Sequence, residues 1–233
     1  MGTLGTPRVH LRQTDSTNLR ACALALRGAP HGTLVTAAEQ SAGRGRQGRT
    51  WSAPPGRALL CSLVVRDPPR LLPLAAGVAV AEVCGDVAAI KWPNDVLLDG
   101  RKVAGILVEG RPQEQWAVLG IGLNVALRLE DFPAELRATA GSLGLEPDSI
   151  EPVLAELLAR LDTWTTAPDD AVLDAVRARD ALLGQPVGWA GGEGTGAGID
   201  GDGRLLVAAP GSPTPVALDA GEVHLTDRRS GGV

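Results

Sequence analysis

Residues 90–110 read IKWPNDVLLDGRKVAGILVEG, and the Asp99–Gly100 pair at the centre decides what kind of sheet the chain builds. Asp-Gly between two apolar runs is the strongest short signal for a tight hairpin, so the flanking strands are expected to run antiparallel. A two-residue turn sets Leu98 opposite Arg101, Leu97 opposite Lys102 and Asp95 opposite Ala104. Side chains alternate along a strand, which puts Asp95, Leu97 and Lys102 on one face, with Asp95 diagonal to Lys102 at roughly 7–8 Å between backbones. An acid and a lysine then point the same way.

Lysine is ordinarily among the commonest residues, yet the only two here are Lys91 and Lys102, both in this segment. Asn94 beside them is one of three asparagines, with Asn18 and Asn124. The abundance of Ala, Gly, Arg and Pro is what a GC-rich coding sequence produces, and each residue that survives such a bias marks a place where it is needed. Lysine beside a turn and Asn-Asp as turn chemistry are the bland alternatives. Chance is a poor account of both lysines falling within twelve residues.

The chain has 233 residues, 44% of them hydrophobic, enough for one sizeable domain and a small one. Acidic residues outnumber basic ones, 27 to 22, so the net charge of -5 offers no global attraction for nucleic acid or anionic lipid. The opening MGTLGTPRVHLRQ lacks the apolar stretch of a signal peptide, and no run of about eighteen apolar residues exists to cross a bilayer. A cytoplasmic address with no membrane partner is expected. Cys22, Cys61 and Cys84 are odd in number and far apart, without metal or dithiol spacing, and read as small buried apolar residues.

Working outward, RVHLR (8–12) alternates as a strand, and DSTNLRACALALRGA (15–29) carries a helix start followed by Leu19, Cys22 and Leu26 at helical spacing. GTLVTAAEQ (32–40) and ALLCSLVV (58–65) read as strands on either side of SAGRGRQGRT (41–50). Residues 71–84 read as a buried helix before the strand-like AIKW. QWAVLGIGLNVAL (115–127) is a further strand, interrupted by Gly120 and Gly122, where a second backbone or a ligand can come close. Helices around 149–165 and 169–183 close the larger unit. After Gly184 short apolar runs alternate with Gly- and Pro-rich turns, as in a small β-barrel, which places a domain boundary between residues 1–183 and 184–233.

The loop at 41–50 suits an anion. Its glycines admit a close backbone approach, and Arg44, Arg46 and Arg49 carry planar forks matched to carboxylate and phosphate oxygens. It is no Walker A loop, since no Gly-Lys-Ser/Thr follows, and Gly43, Gly45 and Gly48 match GxGxxG without the βαβ unit of a dinucleotide fold. A solvated loop or an RNA-binding Arg-Gly segment is the alternative, although such segments usually repeat. DSTN (15–18) has an equally good reading as a helix cap, and GIGLN (120–124) as a strand with a glycine bulge. His10, His31 and His224 are isolated and read as structural or solvated. No nucleophile elbow and no metal spacing occurs, so covalent catalysis by the enzyme and a protein metal site are not expected. Most tryptophans are core candidates, whereas Trp51, directly after the cationic loop, can stack on a base.

Taken in order, DSTN, EQSAGRGRQGRTW, KWPNDV, RKVAGILVEG and GIGLNV resemble the catalytic domain of the biotin protein ligases, from about Asp15 to Gly184, and GEVHL in the tail is similar to the family's small SH3-like domain. The resemblance implies an α+β fold with a mixed, mainly antiparallel sheet and flanking helices. It implies an enzyme that joins biotin to ATP, with Mg²⁺ carried on phosphate oxygens, and passes the biotinyl group from biotinyl-5'-adenylate to one lysine of a biotin carboxyl carrier domain. By motif position Ser16, Thr17, Asn18 and Gln40 receive biotin, with Arg44, Gly45, Arg46 and Lys102 at its carboxylate. Gly43, Arg44, Gly45, Arg46, Arg49, Trp51, Asn94 and Asn124 fall on the nucleotide side. Lys102, Arg46, Asp95 and Lys91 carry the catalytic roles, Lys102 bridging carboxylate and α-phosphate, Arg46 retaining the adenylate, Asp95 receiving the proton of the acceptor amine. Few residues precede DSTN, which implies the short form without an N-terminal DNA-binding module; a homodimer is compatible with it. Related lipoate or octanoate ligases and transferases share the fold and stand as the second reading, a nucleic-acid-binding module as a distant third.

Overall fold

The computed structural model describes residues 4–219 and 221–226. Strand β1 (Arg8–Leu11) leads through the DSTN turn into helix α1 (Thr17–Leu26), and β2 (Leu34–Ala37) returns parallel to β1. After the Gly-Arg loop come β3 (Ala58–Arg66), helix α2 (Leu72–Cys84), β4 (Ala89–Lys91), β5 (Asp95–Leu98), β6 (Arg101–Arg111) and β7 (Trp116–Asn124). These strands form one seven-stranded sheet in the order β1-β2-β3-β7-β6-β5-β4, antiparallel except for β1 with β2. The expected mixed, mainly antiparallel sheet with flanking helices is what the chain builds.

The hairpin at Asp99–Gly100 forms with both residues at positive φ, 50° and 73°, as a type I′ turn requires. Leu98 pairs with Arg101 and Leu97 with Lys102 as expected. One pairing is corrected: the register shifts between Val96 and Leu97, so Asp95 lies opposite Gly105 rather than Ala104. A β-bulge of this kind inserts one residue and bends the strand. Lys102 and Asp95 still meet on one face.

The two faces of the sheet are covered differently. On one, α2 is buried almost all round, consistent with a sequence that is apolar except for Glu82, between the sheet and helices α3 (Ile150–Thr166) and α4 (Asp169–Ala178). Val153, Leu154, Leu157 and Leu161 make the buried stripe of α3, and Val172, Leu173 and Val176 that of α4. On the other face α1 sets Ala21 and Ala25 against Val35, Val64, Trp116 and Val118. The remainder of that face carries the pocket described below.

The second of the two closing helices stops at Ala178 instead of reaching Leu183. Backbone pairing overrides propensity there: Ile90 N–H donates to the Arg179 carbonyl at 2.7 Å and Ala181 N–H to the Ile90 carbonyl at 3.0 Å. A second sheet follows, made of β8 (Pro186–Trp189), β9 (Gly192–Ile199), β10 (Leu205–Ala208), β11 (Val216–Leu218) and β12 (His224–Leu225), antiparallel in the order β11-β10-β9-β8-β12. Among the described residues no pairing of β11 with β12 closes it into a barrel. Val187, Leu205, Val207 and Val223 from this part join the same core cluster as α2 and the large sheet.

Two smaller expectations are also adjusted. Gly120 and Gly122 sit in a regular ladder with no bulge in β7. Cys61 is buried as expected, whereas Cys22 and Cys84 are half-buried.

Candidate active site

Alternation along β6 and β7 puts Gly105, Gly120 and Gly122 on the α1 side of the sheet, with Gly105 directly opposite Gly122. Three neighbouring positions without side chains make a bare backbone floor. What approaches it is neither a second backbone nor a gap: Asn18 rests on Gly120, and the Trp51 ring lies over Gly122 and Gly105. A methyl group at Gly120 would overlap Asn18 Oδ1, and one at Gly122 would come within 2.5 Å of Trp51 Cε2. Bare glycines are what let these two side chains reach the sheet.

Above this floor is a cavity of about 130 Å³. Its inner wall comes from the DSTN turn, where Ser16, Thr17 and Asn18 are all buried. Ser16 occupies the N-cap position of α1, yet its side chain makes no capping bond. Instead the turn points its polar groups inward. Thr17 donates to Gln40 Oε1 from its N–H at 2.7 Å and from Oγ1 at 3.0 Å. Ser62 Oγ stands 2.8 Å from Thr17 Oγ1 and 2.6 Å from Asn18 Oδ1, its one proton serving either. Asn18 Nδ2 donates to Glu109 Oε2 at 3.0 Å. Polar side chains buried this way stay satisfied and present fixed donors and acceptors to the cavity.

The opposite wall is the Gly-Arg loop, folded as a hydrogen-bonded hairpin. Trp51 N–H donates to the Gly43 carbonyl at 2.9 Å and Gly45 N–H to the Arg49 carbonyl at 2.7 Å, while Gln47 and Gly48 turn the chain at positive φ. The parallel pairing of β1 with β2 continues through Thr14 and Gln40, and Ala42 N–H donates to the Asp15 carbonyl, so the two walls are laced together at their base. Arg44 pairs with Glu109 at 3.1 Å. Arg46 donates to Asn94 Oδ1 at 3.1 Å and to the Gly221 carbonyl at 3.3 Å, and Arg49 forms an ion pair with Glu222.

The floor ends at the lysines. Lys91 lies opposite Asp95 across β4 and β5, and Lys102 Nζ is 2.6 Å from Asp95 Oδ1, an ion contact whose angle leaves that oxygen without a hydrogen bond. Lys102 Nζ also stands 5.7 Å from the centre of the Trp51 ring, within cation–π range. Burial pushes the Lys91 pKa below its usual value, and Lys102 and Arg49 push the same way, against the attraction of Asp95. Burial likewise lowers the Arg46 pKa, opposed by Asp95. These cations lack full compensation by the protein, the condition of a site built for a polyanion.

Of the residues singled out in the sequence, Ser16, Thr17, Asn18, Gln40, Arg44, Gly45, Arg46, Arg49, Trp51, Lys91, Asn94, Asp95 and Lys102 all line this one cavity. Two stand apart. Gly43 is packed against Gln40 and the Trp51 backbone and shapes the loop from behind. Asn124 is buried with its Nδ2 on the Gly141 carbonyl at 2.8 Å. Sequence reasoning missed Ser62, Glu109 and the segment Gly221–Val223. Glu109 had a signal, since it shares strand parity with Gly105; the contact of residues 221–223 with the loop, across more than 170 positions, had none.

The model of the biotin/lipoate A/B protein ligase family matches residues 10–125, which hold the loop, the lysines and the glycine floor. The biotin--[acetyl-CoA-carboxylase] ligase of Paracoccus denitrificans is 39% identical over 229 residues, a match covering 86% of this chain and 93% of that relative. The chain belongs to the biotin/lipoate A/B protein ligase family. Within that ligase family, the biotin--[acetyl-CoA-carboxylase] ligase of Mycobacterium tuberculosis is 36% identical over 236 residues, covering 91% of this chain and 87% of its own length. Among solved ligase structures, the biotin protein ligase of Aquifex aeolicus in complex with biotin and ATP superposes with a TM-score of 0.81 at 26% identity, covering 95% of this chain and all of that one. The likeness thus extends past the family model into the second sheet.

Proposed function

We infer that this protein is an ATP-dependent biotin protein ligase, which adenylates biotin and transfers the biotinyl group to a lysine of a biotin carrier domain. The observation that carries the reading is convergence: both lysines of the chain and all three loop arginines face one cavity whose other wall is a buried polar cluster. Such a cavity brings two anions together, and fixed cations lower their repulsion.

In the first step an oxygen of the biotin carboxylate attacks the α-phosphorus of ATP, the bond to the bridging oxygen breaks, and pyrophosphate leaves with the electron pair. Lys102, held by Asp95 and the Trp51 face, is placed to neutralise charge between carboxylate and α-phosphate. Arg44, Arg46 and Arg49 supply the remaining positive charge on the loop side. Ser16, Thr17, Asn18 and Gln40 offer the mixed donors and acceptors that a ureido head group needs. In the second step the carrier lysine attacks the acyl carbon and AMP leaves. At an unperturbed pKa near 10.4 only about one amine in a few thousand is neutral at pH 7, so a carboxylate such as Asp95 that accepts its proton aids the attack.

Among the described residues no group of three or more His, Cys, Asp or Glu side chains is placed to hold a metal. We propose that magnesium enters with ATP on its phosphate oxygens, as such ions usually do. We take the sheet beginning at Pro186 as the small C-terminal domain, and the net charge of -5 gives the chain no general attraction for DNA. No helix among the described residues is long and apolar enough to cross a membrane.

The deciding experiment incubates the chain with ATP, magnesium and a biotin carrier domain, adding either biotin or lipoate, and weighs the intact carrier. One biotinyl group gained with biotin is the expected result. Modification by lipoate alone would reverse the assignment.

A further inference from the structure

Glu109 has no part in the mechanism as written, yet it touches both walls of the cavity. It lies on β6 two residues beyond Leu107 and four beyond Gly105, on the α1 side of the sheet, with its side chain 25% exposed. Its Oε2 accepts from Asn18 Nδ2 at 3.0 Å, and its Oε1 faces Arg44 Nη1 at 3.1 Å. A carboxylate beside a cationic loop weakens that loop's pull on anions, so its presence needs a reason beyond charge. The reason is geometric. A carboxylate only accepts, which obliges Asn18 to turn its NH₂ toward Glu109 and its Oδ1 toward Ser62 at 2.6 Å. The Leu107 carbonyl accepts from the same Nδ2 at 3.4 Å, so a flipped amide would turn its oxygen toward two acceptors. On the other side one nitrogen of the Arg44 fork is engaged, which leaves the rest of a rigid five-donor group aimed by that anchor.

We propose that Glu109 is a positioning residue, which fixes the Asn18 amide and the Arg44 guanidinium at one separation so that the head group and the carboxylate of biotin are gripped together. This rests on the ligase reading above. Each carboxylate oxygen serves one wall, and the two functions come apart by substitution. Glu109→Gln retains an oxygen that accepts from Asn18 and loses the ion pair with Arg44. Glu109→Ala loses both.

The test is biotin-dependent exchange of labelled pyrophosphate into ATP, measured for the wild type, E109Q, E109A, R44A and the R44A/E109Q double variant, with thermal unfolding of each. The expected pattern is a KM for biotin raised about tenfold or more in E109A and less than threefold in E109Q, with kcat lowered severalfold in both. The KM for ATP should stay within about twofold. E109Q should add nothing to R44A, because the ion pair is already gone. A merely structural role would lower the melting temperature and shift biotin KM, ATP KM and kcat alike, with E109Q and E109A indistinguishable; that result overturns the proposal, as do wild-type constants in both variants, and either leaves the ligase intact. A wild-type chain that exchanges no pyrophosphate with biotin would sink the ligase reading and this positioning role with it.

Discussion

Gly120 shows how much of the site depends on an atom that is missing. A methyl there would overlap the Asn18 amide oxygen, and Asn18 has nowhere to retreat because Ser62 and Glu109 hold both ends of its amide. Gly120→Ala is therefore expected to cost about 1–3 kcal/mol of stability, the usual range for overpacking, and to raise the biotin KM by tenfold or more; urea unfolding and exchange kinetics measure the two effects. Lys102 calls for a different signature. Its ammonium is the ion partner of a buried Asp95 oxygen, so Lys102→Ala should cost about 1–3 kcal/mol by urea unfolding, the usual penalty for a buried acceptor left alone, while slowing exchange by about a hundredfold or more. The two variants should thus lose comparable stability, but Lys102→Ala loses rate where Gly120→Ala loses biotin affinity. Both residues were conspicuous in the sequence, the lysine by rarity and the glycine by interrupting a strand. What the sequence concealed was the partner: nothing in DSTN says that Asn18 will cross to a glycine more than a hundred positions away.

At the level of elements, local chemistry carried most of the reading. Asp-Gly fixed the β5–β6 turn, and the apolar run from Leu72 to Ala81 marked α2 as enclosed. The errors fall where tertiary pairing competes with local preference. A bulge moved Asp95 from Ala104 to Gly105, and α4 ended early because Ile90 captures the backbone on either side of Asp180. That capture has a measurable consequence. Asp180 accepts from the Leu182 N–H through Oδ1 while Oδ2 is buried with no hydrogen bond of good geometry, and burial raises its pKa above the ordinary 3.8 against the pull of the Leu182 and Leu183 amides. A raised folded-state pKa means the folded chain holds the proton more tightly. The penalty is absent below 3.8, grows as pH rises through the folded value, and is complete at neutral pH. Asp180→Asn keeps the acceptor for Leu182 and removes the charge. Discounting for the part of the side chain still in water, it should gain less than about 1 kcal/mol at pH 7 and nothing near pH 3, read from urea midpoints at the two values.

On the scale of the whole molecule, the core crosses the place where composition changes. Val187, Leu205 and Val207 pack in one cluster with α2 and the large sheet, and Arg177 from α4 donates to the Ile199 carbonyl at 2.9 Å. Heating should accordingly give one cooperative transition, with calorimetric and van't Hoff enthalpies in agreement; two resolved peaks would contradict it. The cavity spans the same junction, since Gly221 and Glu222 meet Arg46 and Arg49. Order of synthesis then matters. At about 5–20 residues per second, roughly 5–20 s separate Gly122, the last of the floor, from Val223. A nascent chain in that interval has its cationic loop and lysines but no cover on Arg46 and Arg49, so a growing polypeptide still on the ribosome should handle biotin poorly and come into its own only on release.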